Sequence, residues 1–298
     1  MIKEPLVYII LVNYNGLEHT LECIESLQEI DYRNFRIIVV DNASSDDCCK
    51  KISEKYKYVY CIQSKKNLGF AGGNNLGIKF AMENKADYVL LLNNDTTVEK
   101  NFLKVLVDEQ LKDKNKNVKV TIAKIKNYYD RNIIWYAGGD IDLFKANTIV
   151  YGLREEDNGQ FDSKKEVGFA SGCCMLIDKE VIEKVGYLNE SYFLYYEDTD
   201  YSCRIRKGGY KMLYCPESVI YHKESVSTER FSENYQYYFV RNRLLFTKNN
   251  MSFKSKITGY CMFILWLIKM TSSKKFKVKP CMEGLRDYVR KVYGQRQN

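Results

Sequence analysis

Two acidic sites stand where this sequence could do chemistry. The first is Asp95 in "YVLLLNNDTT" (88–97), a lone carboxylate after five apolar residues, preceded by Asn93 and Asn94. A carboxylate at a strand end is a hard oxygen ligand, and magnesium typically uses one or two of these plus substrate phosphates. His222, one of two histidines, follows an apolar stretch in "VIYHKES" and is a candidate second ligand, although a single histidine more often serves packing. The second site is Glu197-Asp198 in "YFLYYEDTDYSCRIRKGGY" (192–210), at the start of a helical pattern. Acidic residues there also complement the helix dipole. Aimed at a ligand, one of them would be a general base for a hydroxyl nucleophile. Spacing alone leaves both readings open.

The surrounding elements must bring these residues together. "LVYIILV", "FRIIVV", "YVYCI" and "YVLLL" read as strands. Between them, "GLEHTLECIESLQEI" places Leu17, Leu21, Ile24 and Leu27 at helical spacing. Ser45 or Asp46 is expected to cap a second helix, and "GGNNLGIKFAMEN" (72–84) opens a third. Continuous apolar strands alternating with amphipathic helices predict a mostly parallel sheet covered on both faces. Ligands of such sheets bind beyond the carboxyl ends of the strands. The four strands end in "NYN" (13–15), "DNAS" (41–44), "SKKNLGFAGGNN" (64–75) and "NNDTT" (93–97). Any one of these clusters can be a turn or a cap, but all four on one rim point to a ligand. Further on, "EVGFASGCCMLI" (166–177) reads as one strand and "DKEVIEKVG" as a short helix stopped at Gly186. "KMLYCPESVIYHKES" (211–225) reads as two short strands around Pro216, and "FSENYQYYFVRNRLLFTKNN" (231–250) as a long helix.

Charge is unevenly placed. The chain carries +8, and residues 250–298 hold eight Lys and three Arg against two acids, a balance of +9, so the rest sums to −1. The apolar run Tyr260–Ile268 is uncharged and too short to span roughly 30 Å of hydrocarbon. An apolar run flanked by lysines suits the anionic inner face of a cell membrane. The expected partner of this end is therefore that surface and no nucleic acid; a core helix with a solvated basic tail is the plain alternative. The apolar run Leu6–Val12 is too short for a secretory leader, which predicts a cytoplasmic protein with reduced thiols. The ten cysteines show no Cys-x-x-Cys spacing, which argues against a zinc ribbon.

In order, "VNYNG", "VVDNASSDD", "NLGFAGGNN", "LLNND", "ASGCCMLI", "YFLYYEDTDYSCRIRKGGY" and "YHKES" give the chain its resemblance. It resembles the family 2 glycosyltransferases of GT-A fold, and within them the bacterial rhamnosyltransferase-like branch, over about residues 5–250. The resemblance implies an α/β, Rossmann-like, mostly parallel sheet flanked by helices. It also implies an inverting glycosyltransferase that takes a nucleotide-diphosphate sugar, needs Mg2+ or Mn2+, and glycosylates a glycan or lipid-linked acceptor in polysaccharide synthesis. The expected organisation is a transferase domain over 1–250, with a nucleotide half (about 5–115) and an acceptor half (116–250). A helical extension follows over 251–298.

Residue by residue, the resemblance implies that Val12, Asn13, Asn15 and Asp41 line the nucleobase pocket. Asn67, Gly69 and Asn75 close over the nucleotide. Asn93 and Asn94 face ribose and sugar, and Asp95 holds the metal, with His222 as a further ligand. Asp198 of the Glu197-Asp198 pair is the base. Gly172, Tyr195 and Tyr196 shape the sugar pocket, and Arg241 of "RNR" (241–243) on the long helix borders the acceptor or belongs to a solvated basic face. Asn93 departs from the family pattern, where an Asp is usual. An amide can still bond a ribose hydroxyl, so its role survives while metal binding in the free enzyme weakens. dTDP-rhamnose is the first donor expected, with a UDP-hexose as the alternative. A sugar-phosphate nucleotidyltransferase would need a glycine-rich, Arg-containing loop after the first strand, and "VNYNGLEHT" is not one. A dinucleotide oxidoreductase would need G-x-G-x-x-G, which "GFAGGNN" does not supply. A non-catalytic nucleotide-sugar-binding or scaffold protein remains as a reading of a different class.

Overall fold

The computed structural model describes residues 4–113, 115, 117–224 and 231–297; Ser225, the last residue of "YHKES", lies outside them. In the first half β1 (Val7–Asn13), β2 (Phe35–Asp41), β3 (Val59–Gln63) and β4 (Tyr88–Asn93) alternate with α1 (Leu17–Gln28), α2 (Cys48–Lys55) and α3 (Gly69–Glu83). These strands are parallel, in the order β3-β2-β1-β4. Ile9, Ile10, Leu11, Val39, Val40, Leu90 and Leu91 are buried, as expected of strands covered on both faces. Register does the positioning. Asn13 lies beside Asp41, and Val12 beside Asn93, so the polar strand ends meet at one edge.

The second half extends the same sheet in mixed sense. Its elements are β5 (Thr96–Val98), α4 (Phe102–Lys112), β6 (Val118–Asn127), β7 (Ile134–Tyr136), β8 (Gly139–Asp142), β9 (Asn147–Val150), β10 (Lys165–Val167), β11 (Cys174–Asp178), α5 (Lys179–Val185), α6 (Glu197–Lys207) and β12 (Lys211–His222). The sheet runs β10-β12-β6-β11-β4 on this side, while β5 pairs with β12, β7 with β6, and β8 with β9 in a separate hairpin. Three helices close the chain: α7 (Glu233–Asn250), α8 (Phe253–Ser272) and α9 (Val278–Val289). Val240 and Leu244 of α7 form a small core with Phe263 of α8, Phe276 of the connection that follows it, and Cys281 of α9.

Several local expectations are corrected. "EVGFASGCCMLI" is two strands, because residues 168–173 leave the sheet to pass α6. There the Ala170 amide donates to Ser202 Oγ and the Gly172 amide to Asp198 Oδ2, replacing ladder bonds. A Cβ on Gly168 would lie 2.1 Å from Asp140 Oδ1, which explains why the stretch is built from small residues. The two strands expected around Pro216 are one 12-residue strand whose register shifts between Cys215 and Val219, where a missing N–H is tolerated. Asp46 does not cap α2. Its Oδ2 accepts from the Leu17 amide and so serves α1, while α2 is entered through Asp47 at φ 54°.

The third helix starts at Gly69, earlier than the sequence pattern suggests. Gly69 sits at φ +70°, and a Cβ there would lie 2.2 Å from the Phe193 carbonyl oxygen, which accepts the Phe70 amide at 2.8 Å. That contact ties the start of α3 to the turn before α6. Gly69→Ala is expected to lose roughly 2–3 kcal/mol of unfolding free energy, since backbone cannot yield as a side chain can. Gly209→Ala, at φ +88° with nothing within 4 Å, should lose only the conformational part, about 1 kcal/mol. Urea titration of both variants checks the difference.

Candidate active site

Much of the polar rim is internally bonded. Asn13 is buried; its Oδ1 accepts from the Gly16 amide (3.1 Å) and Thr20 Oγ1 (3.1 Å), and its Nδ2 donates to Ser44 Oγ at 3.0 Å. The Asn94 amide donates to Asn13 Oδ1 at 3.2 Å and to Thr20 Oγ1 at 2.8 Å. Both side chains are thus tied into the rim by bonds to its own residues. Asp41 accepts the Ser44 amide at 3.1 Å, and Asn15, at φ 54°, accepts the Ser45 amide at 2.9 Å. Val12 packs beneath Gly73, where a Cβ would lie 2.7 Å from Val12 Cγ1. The Asn67 loop is pinned by a residue that sequence reasoning missed. Asn42 Nδ2 donates to Asn67 Oδ1 and to the Gly69 carbonyl, both at 3.0 Å, while its Oδ1 accepts the Leu68 amide at 2.9 Å. Asn75 is buried and exchanges bonds with both backbone groups of Leu188, so it joins α3 to the 188–190 loop.

Asp95 and His222 meet. β5 pairs with the end of β12, placing His222 opposite Thr96. His222 Nε2 lies 3.2 Å from Asp95 Oδ1 and 3.3 Å from Asn93 Nδ2. Burial pushes the Asp95 carboxyl up, but the charge and hydrogen bond of His222 outweigh it and hold the group below the ordinary carboxylate range. Asp95 thus stays an anion in a nearly closed setting, as a metal ligand must. His222 Nδ1 is buried and has no hydrogen-bond partner among the described residues. A carboxylate oxygen and an imidazole nitrogen within this distance fit a divalent cation. A second group, Asp41, Asp46 and Cys48, also converges at the end of β2. It is the poorer candidate: burial pushes the Cys48 thiol far up, and Asp46 already accepts the Leu17 amide.

Asp198 is positioned by an unusual turn. Phe193, Tyr195 and Tyr196 all have positive φ, at 63°, 67° and 73°, a conformation that costs non-glycine residues about 1 kcal/mol or more each. α7 holds this turn in place. Asn242 Nδ2 donates to the carbonyls of Tyr192, Leu194 and Tyr195, each at 2.8 Å. Arg241 donates to the carbonyls of Ser191 and Tyr192 and is fully buried, so it braces the turn. The Tyr196 ring lies in a core with Phe246, and its hydroxyl donates to the Ala146 carbonyl. Tyr195 packs edge-on against Tyr235. The Arg204 guanidinium pairs with Asp200 at 2.8 Å one turn away, leaving Asp198 alone.

The Asp198 carboxylate accepts the Gly172 amide at 3.2 Å and the Thr199 amide at 2.7 Å. Burial pushes it up, these hydrogen bonds pull it down, and the net position is above the ordinary Asp range. Glu197 is pushed well above its ordinary range by burial and by the neighbouring Asp198. Its Oε2 has no partner among the described residues. Asp198 opens into a cavity of about 220 Å³ whose walls include Trp135, Tyr136, Thr148, Val150, Phe169 and Ser171. The Trp135 ring packs edge-on against His222, with centroids 4.6 Å apart. Trp135 therefore stands between the two acidic sites: it lines the cavity into which Asp198 opens, and its ring packs on His222 of the Asp95–His222 pair. The walls from β7 to β9 were not foreseen; Trp135, one of two tryptophans, was the available signal.

The family model for glycosyl transferase family 2 matches residues 8–186, more than half of the chain. The chain belongs to this family. It is a glycosyltransferase, as the ordered motifs imply. It is 29% identical over 285 residues to the low-salt glycan biosynthesis hexosyltransferase Agl10 of Haloferax volcanii, covering 93% of this chain and 88% of that protein. It is 27% identical over 255 residues to the dTDP-rhamnosyl transferase RfbF of Shigella flexneri, covering 82% and 80%. Among solved structures it resembles the mannosyltransferase PcManGT from Pyrobaculum calidifontis, in complex with GDP-Man and Mn2+. The TM-score is 0.61 at 13% identity, over 98% of this chain and 89% of the other. That likeness supports the α/β fold.

Proposed function

We propose that this glycosyltransferase moves a sugar, with inversion, from a nucleotide-diphosphate donor to a hydroxyl of a glycan or lipid-linked acceptor in cell-surface polysaccharide synthesis. It would work at the inner face of the membrane. The observation that carries the reading is the cavity shared by Asp198 and the Trp135 ring that packs on His222. dTDP-rhamnose is the first donor to test, supported by the similarity to a dTDP-rhamnosyl transferase; a UDP-hexose is the alternative.

Asp198 takes the proton of the acceptor hydroxyl while that oxygen attacks the anomeric carbon from the side opposite the diphosphate. One base and no enzyme-bound intermediate suffice for inversion. The Gly172 and Thr199 amides fix the carboxylate, and the raised position of Asp198 makes it a stronger base than an exposed aspartate. The aromatic walls exclude water, which would otherwise compete for the donor. Asp95 and His222 would hold a divalent cation that, when bound, offsets charge on the leaving diphosphate. The mixed oxygen and nitrogen donor set favours Mn2+ over Mg2+.

The test is a thermal-shift screen of nucleotide sugars with and without each metal, followed by donor hydrolysis. A metal-dependent shift with a dTDP-sugar, together with slow release of sugar to water, is expected. A shift only with UDP-sugars reassigns the donor. Donor binding with neither hydrolysis nor transfer to any acceptor would favour a non-catalytic binding protein.

A further inference from the structure

Helix α8 is apolar on two sides. One side packs inward: Phe263 is buried in the core with α7, and Trp266 and Met270 pack against that core. The other side carries Phe253, Ile257, Ile264, Leu265 and Ile268, which are 79, 54, 53, 62 and 57% exposed. At about 100° per residue these five fall within roughly 120° of arc, a continuous stripe. α9 repeats the arrangement with Val278, Met282 and Val289, which are 61, 56 and 75% exposed and lie on one face. Lys254, Lys269, Lys274, Lys275 and Lys279 are exposed beside these stripes, in a region with a balance of +9. Among the described residues no helix is long and apolar enough to cross a membrane.

Such a face is unfavourable in water, and its rim of cations says what covers it. We propose that α8 and α9 lie on an anionic lipid surface, with the apolar stripes sunk into the acyl boundary and the lysines among the headgroups. Arg243 links the inward side of α8 to the reaction site. Its guanidinium lies 4.9 Å from the Trp266 ring centroid and 5.4 Å from that of Phe263, and it donates to the Lys145 carbonyl between β8 and β9. β9 supplies Thr148 and Val150 to the cavity wall, and the same turn exposes Phe144. The cavity is therefore held in a set relation to the lipid, as a lipid-linked acceptor requires. This specifies the membrane location in the proposed function, and its test uses no transferase activity, so the two readings fail separately.

The experiment is co-sedimentation of the full chain with phosphatidylglycerol-containing vesicles and with pure phosphatidylcholine vesicles. A variant carrying Ile264→Asp and Ile268→Asp is run alongside. Both side chains are exposed, so the variant should melt with the wild type. The wild type should bind the anionic vesicles, bind less at high salt, and bind pure phosphatidylcholine weakly. The double variant should partition about tenfold less or lower. Wild type that stays in solution with anionic vesicles at low salt overturns the proposal, as does a double variant that binds equally. A wild-type dimer that the double variant breaks would assign the stripe to a second copy and overturn it as well.

Discussion

Asp198→Asn is expected to lower transfer at saturating donor by about 10³-fold, within the range for a general base, while donor affinity changes less than about threefold. The amide keeps the shape of the side chain, and its oxygen can still accept from Gly172 or Thr199, but it cannot take the acceptor proton. Stability gives the control. A carboxyl whose folded position is raised is harder to ionise in the fold than in the unfolded chain. It therefore opposes folding progressively as pH climbs from its unfolded value to its folded one, and stays unfavourable above that. Asp198→Asn removes this opposition, so the variant should be at least as stable as wild type at neutral pH, and lost activity cannot be lost fold. The same sign sets the rate profile. Transfer should rise with pH through a midpoint above the ordinary Asp range and then level off, and the residual rate of Asp198→Asn should lack that rise. Burial and the neighbouring Asp198 push Glu197 well above its ordinary range, which favours its neutral form, so Glu197→Gln should retain more activity. An Asp198→Asn enzyme transferring at more than about a tenth of the wild-type rate would remove Asp198 from the mechanism.

The rim was legible because its signals are local. Each strand is an apolar run, each ends in a polar cluster, and parallel topology alone sends those clusters to one edge. Asp95 and His222 were readable as separate candidates. Their meeting depends on β5 pairing with the end of β12, and a three-residue strand carries too little pattern to announce itself. The direction of a side chain was the least legible property. Asn13, Asn75 and Asn94 stand in motif positions, yet their amides are taken up by Thr20, Leu188 and Asn13. Composition cannot distinguish a ligand-facing amide from one that builds the rim. The same limit applies to Arg241. On α7 it reads as an acceptor contact or a basic face, but residues 191–195 turn backbone carbonyls into the protein, where the buried Arg241 guanidinium donates to those of Ser191 and Tyr192 and Asn242 donates to those of Tyr192, Leu194 and Tyr195. A polar pair on an otherwise buried helix face was the signal available.

Asp95→Ala is expected to reduce transfer by about 10²- to 10³-fold and to abolish the metal dependence of nucleotide binding. Asp95 is the one carboxylate of "NND", and its Oδ1 lies 3.2 Å from His222 Nε2. Where the family usually has an Asp, Asn93 places an uncharged amide 3.3 Å from the same imidazole nitrogen. With one anion and one imidazole, the free protein supplies too little negative charge to hold a divalent cation firmly; the donor diphosphate supplies the rest. Calorimetry should therefore show weak Mn2+ binding to the protein alone and at least about tenfold tighter binding when the nucleotide diphosphate is present, with the reciprocal gain for the nucleotide. Asn93→Asp supplies the reverse test. A second carboxylate beside His222 should tighten metal binding to the free protein and shrink the synergy, because less charge remains for the diphosphate to contribute. Full transfer in excess EDTA, or tight Mn2+ binding by the wild type without nucleotide, would show that the Asp95–His222 pair is a structural ion pair and that the leaving group is stabilised by other means.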